Sequence, residues 1–196
     1  MEKREYIDKE REVMHEYYEL YEKYEGKSMD FIKRKMKELI KKDPDFLDPY
    51  LILYDILNEE GKTKEAEELL DEAYRRAINL ITNEEGDWPS VLEWTFLENR
   101  HIIRTILNKA ILLWKKGDVN DSLDLFRKLL KTNPVDNVGA RFYILAIRMG
   151  MNFEEFENRF NKDGFYDSSL FDWFDENYRK FPDEFNWWEK EMEKYE

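Results

Sequence analysis

The two histidines are the residues whose spacing most resembles that of a metal site. His15 and His101 are the only histidines in the chain, and each follows a glutamate by three positions, giving the pairs Glu12/His15 and Glu98/His101. Residues three apart share one face of a helix, so each pair can present an oxygen and a nitrogen ligand together. Paired Glu-x-x-His turns hold metal ions in helical bundles. Because glutamate is abundant here, the spacing also arises easily by chance, and a helical-bundle metal protein or enzyme is the alternative interpretation.

Other common catalytic signatures are missing from the sequence. It contains no cysteine, no glycine-rich phosphate loop and no G-x-S-x-G nucleophile turn. Carboxylates are numerous, but no pair of them lies in an apolar stretch that would raise a pKa for acid–base catalysis. We therefore expect a protein that is not an enzyme and that uses no cofactor and no metal ion.

The distribution of charge argues against nucleic-acid and membrane partners. The 196 residues have a formal net charge of −13, and residues 152–196 hold 14 acidic against 6 basic side chains. Nucleic-acid phosphates require clustered lysine and arginine. The sequence has neither a stretch of roughly 18 apolar residues, as in a membrane span, nor the apolar core of a signal peptide. We expect a cytoplasmic protein without nucleic-acid or membrane partners.

Helical periodicity runs through nearly the whole sequence. Apolar residues recur at three- and four-residue intervals, which predicts about eight to ten helices and no sheet. The first helix is predicted over 2–25, the second with Asp30 as its N-cap, and a later one beginning at Thr63. Residues 83–89 interrupt the pattern and are predicted to form a loop.

Glycine and proline mark a regular spacing within this helical pattern. Pro44 lies 17 positions before Gly61, and Gly117 lies 17 positions before Pro134. Five positions after each of these glycines stands a small residue, which allows two helices to pack closely. The spacing resembles that of the tetratricopeptide repeat, a helix–turn–helix unit of 34 residues.

The resemblance to the tetratricopeptide (TPR) family covers roughly 150 residues and is best near the second and third predicted repeats. It implies an all-α, right-handed superhelix of stacked helical hairpins, with an aromatic C-terminal capping segment. The predicted single domain over 1–196 consists of a degenerate repeat (1–46), a repeat (47–82), an insertion (83–99), a repeat (100–134), a degenerate repeat (135–165) and a C-terminal cap (166–196).

Two further segments, 97–100 and 133–141, resemble those of a mostly uncharacterised subgroup of these repeat proteins. His101 stands where that subgroup usually has proline, and the resemblance implies no activity. The segments contain four polar residues that flank one hairpin and are predicted to form a structural hydrogen-bond network: Asn99, Arg100, Asp136 and Asn137. Binding of a ligand is the competing interpretation for the arginines.

In the TPR family the first helix of each hairpin lines a concave groove that binds peptides. The resemblance therefore implies a non-catalytic scaffold or adaptor that binds another protein. The predicted peptide-binding residues are Tyr17, Tyr21, Tyr24, Arg104, Trp114, Lys115, Arg141 and Arg148. Arginine pairs with carboxylates through two hydrogen bonds, so we expect the arginines to bind an acidic peptide segment.

The tryptophans near the C-terminal end allow two interpretations. Trp173, Trp187 and Trp188 fill the core of an end cap, since large aromatic residues usually do so. Alternatively, they form an exposed patch through which the protein associates into a homo-oligomer.

Overall fold

The computed structural model describes residues 4–21 and 26–194. The described residues are mostly helical, with 69% helix, ten α-helices and two short strands. The expected all-α character is therefore confirmed. The chain divides into two compact units, Met1–Lys109 and Ala110–Glu196, and the division falls inside one long helix.

The described part of the first unit contains four whole helices and the first part of a fifth. In chain order they are α1 (Glu12–Tyr21), α2 (Met29–Lys42), α3 (Asp48–Glu59), α4 (Thr63–Ile81) and α5 (Arg100–Lys116), and a single 3-10 turn, Leu97–Asn99, directly precedes α5. Within this unit α2 packs against α3, and α3 packs against α4. The helix predicted to begin at Thr63 is confirmed.

The second unit continues from α5 with five more helices and two short strands. These elements are α6 (Val119–Thr132), α7 (Ala140–Arg148), α8 (Phe153–Phe160), β1 (Asn161–Lys162), β2 (Phe165–Tyr166), α9 (Ser169–Asn177) and α10 (Pro182–Met192), with a 3-10 turn at Tyr178–Lys180. Here α6 packs against α7, and α7 contacts α9. Among the described residues, no helix combines the length and the apolar content needed to cross a membrane.

Side-chain caps define where two of these helices begin. Ser28 caps α2 by accepting a hydrogen bond from the N–H of Phe31 at 3.3 Å, so the predicted cap, Asp30, lies inside the first turn instead. Its carboxylate there still interacts favourably with the positive end of the helix dipole. Asn152 and Glu155 form a reciprocal capping box at the start of α8, with both hydrogen bonds 2.9 Å long.

A buried apolar cluster holds the first three helices of the first unit together. It contains side chains of α1, α2 and α3, and of the loop that joins the last two: Val13, Met14, Tyr17, Met36, Leu39, Phe46 and Leu53. Burial of the apolar face is the main stabilising contribution to such helices.

The N-terminal segment is not helical, although the sequence predicted a helix over 2–25. Residues 4–11 precede α1, and Glu5 forms a parallel bridge with Val91. The N–H of Tyr6 donates to the carbonyl of Val91 at 3.0 Å, and the N–H of Ser90 donates to the carbonyl of Arg4 at 2.8 Å. Backbone groups of the N-terminal segment therefore form hydrogen bonds with the non-helical chain before α5, in place of the bonds that they would form within a helix.

The two strands correct the expectation that the fold contains no sheet. Asn161 pairs with Tyr166 and Lys162 pairs with Phe165, in an antiparallel hairpin of two residues on each side. The residues between the strands, Asp163 and Gly164, both have positive φ angles, of 54° and 90°. Two positive φ values are the signature of a type I′ turn, for which Asp-Gly is a preferred sequence.

Candidate functional site

Arg104, predicted to bind a peptide, forms an ion pair within the first unit. Its Nε donates to one carboxylate oxygen of Asp48 at 2.9 Å, and its Nη2 donates to the other. Asp48 is only 2% exposed, so this guanidinium compensates its buried charge. Burial lowers the pKa of Arg104, but the charge of Asp48 outweighs it and raises the pKa above its ordinary value. An acidic ligand would have to displace a carboxylate that is already buried and paired.

Arg148, the second predicted peptide-binding arginine, is also paired within its unit. Its Nη1 donates to Asp183 at 2.7 Å and to Glu184, and Arg127 donates to the other oxygen of Glu184 at 3.0 Å. Burial raises the pKa of Glu184, but the hydrogen bonds from the two arginines outweigh it and hold the pKa below its ordinary value. These ion pairs attach the start of α10 to α6 and α7.

Arg141, the third predicted peptide-binding arginine, supports the loop before α7. Asp136 accepts hydrogen bonds from the N–H groups of Ala140 at 2.7 Å and Arg141 at 3.0 Å, and from the Arg141 guanidinium at 2.9 Å. Burial raises the pKa of Asp136 to about 6, although Arg141 and the two N–H groups lower it. Asp136 thus caps α7 with a largely buried carboxyl group, and the neighbouring Asn137 is exposed.

Tyr17 lies in the core of the first unit instead of an open groove. It is 6% exposed, and its ring lies 5.4 Å from that of Phe46 in an edge-to-face contact. This packing explains its helical spacing without any ligand. Tyr24 lies outside the described residues, as does the side chain of Tyr21, so their proposed role stays a prediction.

Trp114 is likewise buried, and Lys115 lies beside it at the surface. Trp114 is 3% exposed, with its ring 5.4 Å from that of Phe153. The ammonium group of Lys115 lies 4.5 Å from the centroid of the same phenylalanine ring, a cation–π contact. Both residues therefore attach α8 to the end of α5.

Asn99 and Arg100, two residues of the predicted polar network, form hydrogen bonds with backbone groups of the first unit. The side-chain amide of Asn99, which is fully buried, accepts from the N–H of Asp8 at 2.9 Å and donates to the carbonyl of Tyr6 at 3.0 Å. Arg100 donates to the carbonyl of Trp94 at 3.0 Å. In the first unit, these two residues thus hold the N-terminal segment and the chain before α5 in place, which is a structural role.

The two Glu-x-x-His turns place their histidines in unlike surroundings. The side chain of His15 is 66% exposed and lies 3.0 Å from Glu10, whereas that of His101 is 1% exposed. His101 accepts a hydrogen bond from the N–H of Leu47 at 3.2 Å through Nδ1, and its Nε2 lies 3.0 Å from Asp8. Both ring nitrogens of His101 are thus occupied. Residues 4–21 and 26–194 contain no group of three or more His, Asp or Glu side chains that could hold a metal ion.

Asp8 is the centre of a buried polar cluster that the sequence did not reveal. Its carboxylate accepts two hydrogen bonds from Arg11, at 2.6 and 3.1 Å, and one from the hydroxyl of Tyr6 at 3.1 Å. Arg11 continues to Asp43 through bonds of 2.9 and 2.8 Å. Burial raises the pKa of Asp8, but the hydrogen bonds from His101 and Arg11 outweigh it and lower the pKa to about 2.

The hairpin of the second unit exposes a large aromatic side chain. Phe165 is 80% exposed, and its neighbour Tyr166, which is 39% exposed, is hydrogen-bonded to other residues of the unit. The hydroxyl of Tyr166 lies 3.2 Å from that of Tyr143 and donates to Glu157 at 2.5 Å. Because successive residues of a strand point to opposite sides, anchoring Tyr166 directs Phe165 outward.

Next to the hairpin is a cavity of about 330 Å³, here called the aromatic pocket. One wall is formed by residues 136–139 of the loop before α7 and by Arg141 at the start of that helix. The others are apolar side chains of α7, α8, the hairpin and α9: Phe142, Tyr143, Phe156, Tyr166, Leu170 and Phe171. Phe171 is 54% exposed, and its ring lies 5.3 Å from that of Phe142, edge to face. The pocket thus combines a buried aromatic floor with an exposed aromatic rim.

Two of the three C-terminal tryptophans pack as the cap interpretation predicts. Trp173 is 4% exposed, and the indole N–H of Trp188 donates to the carbonyl of Pro134 at 2.8 Å. The ring of Trp188 also lies 5.6 Å from Phe174. Trp187 is half-buried beside the ion pairs of Glu184.

Comparison of the chain with protein-family models, with curated proteins and with solved structures found no match.

One part of this site carried a sequence signal. Asp163-Gly164 between two short polar and aromatic segments is a hairpin signature, and it places Phe165 directly after the turn. The pairing of Arg104 with Asp48 carried no such signal, because 56 positions separate the two residues.

Proposed function

We propose that the protein is a non-catalytic binding protein that holds a segment of another protein at the aromatic pocket. The observation that carries this proposal is the exposure of Phe171, at 54%, on the rim of an aromatic-lined cavity. Exposed apolar clusters next to a concave site mark interaction surfaces. Aromatic side chains contribute much of the binding energy at such surfaces.

The pocket favours a partner with an apolar anchor residue. Its volume of about 330 Å³ and its lining by aromatic rings suit an aliphatic or aromatic side chain. Residues 152–196, which supply the hairpin and α9, carry 14 acidic against 6 basic side chains, so basic residues beside the anchor would be attracted. The earlier hypothesis of an acidic peptide has less support, because Arg104, Arg141 and Arg148 already pair with internal carboxylates.

The TPR-like superhelix is the architecture that we propose for this scaffold. It is supported by the packing of successive helices, α2 with α3, α3 with α4 and α6 with α7. It is also supported by the turns at Gly61 and Gly117, which follow α3 and α5. The proposal includes a cytoplasmic location, since a chain without cysteine has no disulfide to stabilise it in an oxidising compartment.

Selection from a phage-displayed library of random peptides tests the binding proposal. The wild-type protein should enrich a family of peptides that share an apolar anchor flanked by basic residues. The variant Phe171→Ser should lose this enrichment, because it removes the exposed ring at the rim of the pocket, whereas Phe165→Ser, which removes an exposed ring that does not line the pocket, should retain it. Leu97→Ser is the matched control, since Leu97 is also a partly exposed apolar residue, at 40%, but lies in the first unit.

Circular dichroism must show the same helix content for all four proteins. The proposal fails if the wild type enriches no peptide family. It also fails if the family selected by the wild type is retained equally by Phe171→Ser.

A further inference from the structure

A second concave surface, here called the α2–α4 groove, lies in the first unit. Its apolar floor is formed by Ile40 of α2, Leu53 and Leu57 of α3, and Leu69 of α4, and its volume is about 520 Å³. A neighbouring hollow of about 550 Å³ shares several of its lining residues and follows α2 from Asp30 to Lys41. The groove therefore runs along α2 for about three helical turns.

The side of the groove formed by α2 is positively charged. Lys33 and Lys37 line the groove and Lys41 lines the neighbouring hollow, at intervals of four residues on one face of the helix. The hollow also contains Asp30 and Glu38, each of which pairs with a lysine of α2. Lys33 is paired with Glu60 at 2.5 Å. Within the described part of the chain, Lys37 and Lys41 form no ion pair, so their charges are open to a partner.

The opposite side, formed by α4, is negatively charged. Glu65, Glu68 and Glu72 line it at intervals of three and four residues, again on one helix face. Glu72 pairs with arginines of its own helix. Glu65 is exposed and has no ion pair among residues 4–21 and 26–194.

We propose that the α2–α4 groove binds an amphipathic helix of another protein. The apolar stripe of that helix lies on the floor, its acidic residues face Lys37 and Lys41, and its basic residues face Glu65 and Glu68. A helix fits because both charged sides repeat with helical spacing, so a partner of the same period can match several positions at once. Opposite charges on the two sides select a partner whose two flanks also differ in charge.

This surface is independent of the aromatic pocket, because all of its residues belong to the first unit. Two binding surfaces that recognise different chemistry would let one chain hold two partners. The protein would then act as an adaptor, and the failure of either site would leave the other untouched.

Two designed helical peptides of about 18 residues test the groove. Both carry the same leucine stripe and the same numbers of glutamate and lysine. In the first, glutamates occupy one flank and lysines the other; in the second, the two residue types alternate on both flanks. Fluorescence anisotropy should show that the wild-type protein binds the first peptide about tenfold more tightly than the second.

Charge reversal on α2 then locates the binding site. Lys37→Glu combined with Lys41→Glu should weaken binding of the first peptide about tenfold, and should strengthen binding of a third peptide with lysines on both flanks. Lys162→Glu combined with Lys190→Glu is the matched control, because both side chains are exposed and neither lines the groove or the neighbouring hollow. Equal binding of the first two peptides, binding of neither, or no effect of the α2 reversal would each overturn the proposal.

Discussion

Nε2 of His101 lies 3.0 Å from a carboxylate oxygen of Asp8, a residue 93 positions earlier in the chain. The same carboxylate is bound by Arg11, and both Asp8 and His101 are buried. The histidine that suggested a metal ligand in the sequence thus connects the N-terminal segment to the start of α5. Removing one partner of such a buried, hydrogen-bonded charge is strongly destabilising, because the charge is left buried without compensation.

Replacement of Asp8 by asparagine should destabilise the first unit strongly. The change leaves Arg11 buried without part of its counter-charge, and the expected loss is about 3 kcal/mol in the free energy of unfolding. Urea denaturation followed by circular dichroism measures it. Asp175→Asn, at an exposed position, is the control and should change stability by less than about 0.5 kcal/mol. A similar small effect for both variants would contradict the role given to Asp8.

The contribution of Asp8 should disappear in acid. Its pKa is lowered from 3.8 to about 2 in the folded protein, so the stabilisation is present above pH 4 and is lost as the pH falls towards 2. The stability difference between wild type and Asp8→Asn should therefore narrow over that interval. Urea titrations at pH 6, 4, 3 and 2 would show it, and a constant difference would be the contradicting result.

Asp136 should show the opposite dependence on pH. Burial raises its pKa from 3.8 to about 6, so the folded protein binds a proton more readily than the unfolded chain does. Its stabilising contribution is then complete below pH 4 and is lost as the pH rises through 6. Asp136→Asn should therefore lower the free energy of unfolding more at pH 4 than at pH 7. Asparagine is chosen because it tolerates the positive φ of 57° at this position. A cost that grows towards neutral pH would refute this assignment.

Arg104→Ala distinguishes the structural interpretation of this arginine from the ligand interpretation. Because Asp48 is 2% exposed, loss of the guanidinium should cost about 3 kcal/mol. The double variant Arg104→Met with Asp48→Leu should recover much of that loss, since it leaves no unpaired charge. Thermal and urea denaturation of the single and double variants measure the coupling. If Arg104→Ala is nearly neutral, the arginine is free for a ligand after all.

Trp188→Phe tests whether the C-terminal helix is a cap. The variant keeps an aromatic ring but removes the N–H that donates to the carbonyl of Pro134, which should cost about 1 to 2 kcal/mol. Sedimentation velocity should give the same association state as for the wild type. Unchanged stability together with a lost association would instead favour the interface interpretation.

Much of the helical pattern followed from local sequence. The helix predicted to begin at Thr63 starts there, and the turns at Gly61 and Gly117 follow α3 and α5 as expected. Local rules succeed at these positions because the apolar spacing and the glycine are both within one or two helical turns of the boundary.

The N-terminal segment shows where local rules failed. Residues 4–11 are rich in helix-forming glutamate, lysine and arginine, yet their backbone pairs with the chain around Val91. That pairing depends on contacts more than 80 positions away, such as the hydrogen bond from Arg4 to the carbonyl of Asp87. Tertiary contacts of this kind override helix propensity and leave no periodic trace in the sequence.

The candidate site was predictable only in part for the same reason. Arg141 was recognised as a site residue, but the aromatic walls around it come from four separate elements, α7, α8, the hairpin and α9. The turn at Asp163 and Gly164 was the one local signal for this site.

Isothermal titration of the tightest library-selected peptide tests the central claim most directly. The peptide is titrated into the wild-type protein, into Phe171→Ser and into the control Leu97→Ser. If the aromatic pocket is the binding site, Phe171→Ser should weaken binding about 30-fold or more, and the control should bind like the wild type. The same dissociation constant for all three proteins would contradict the claim.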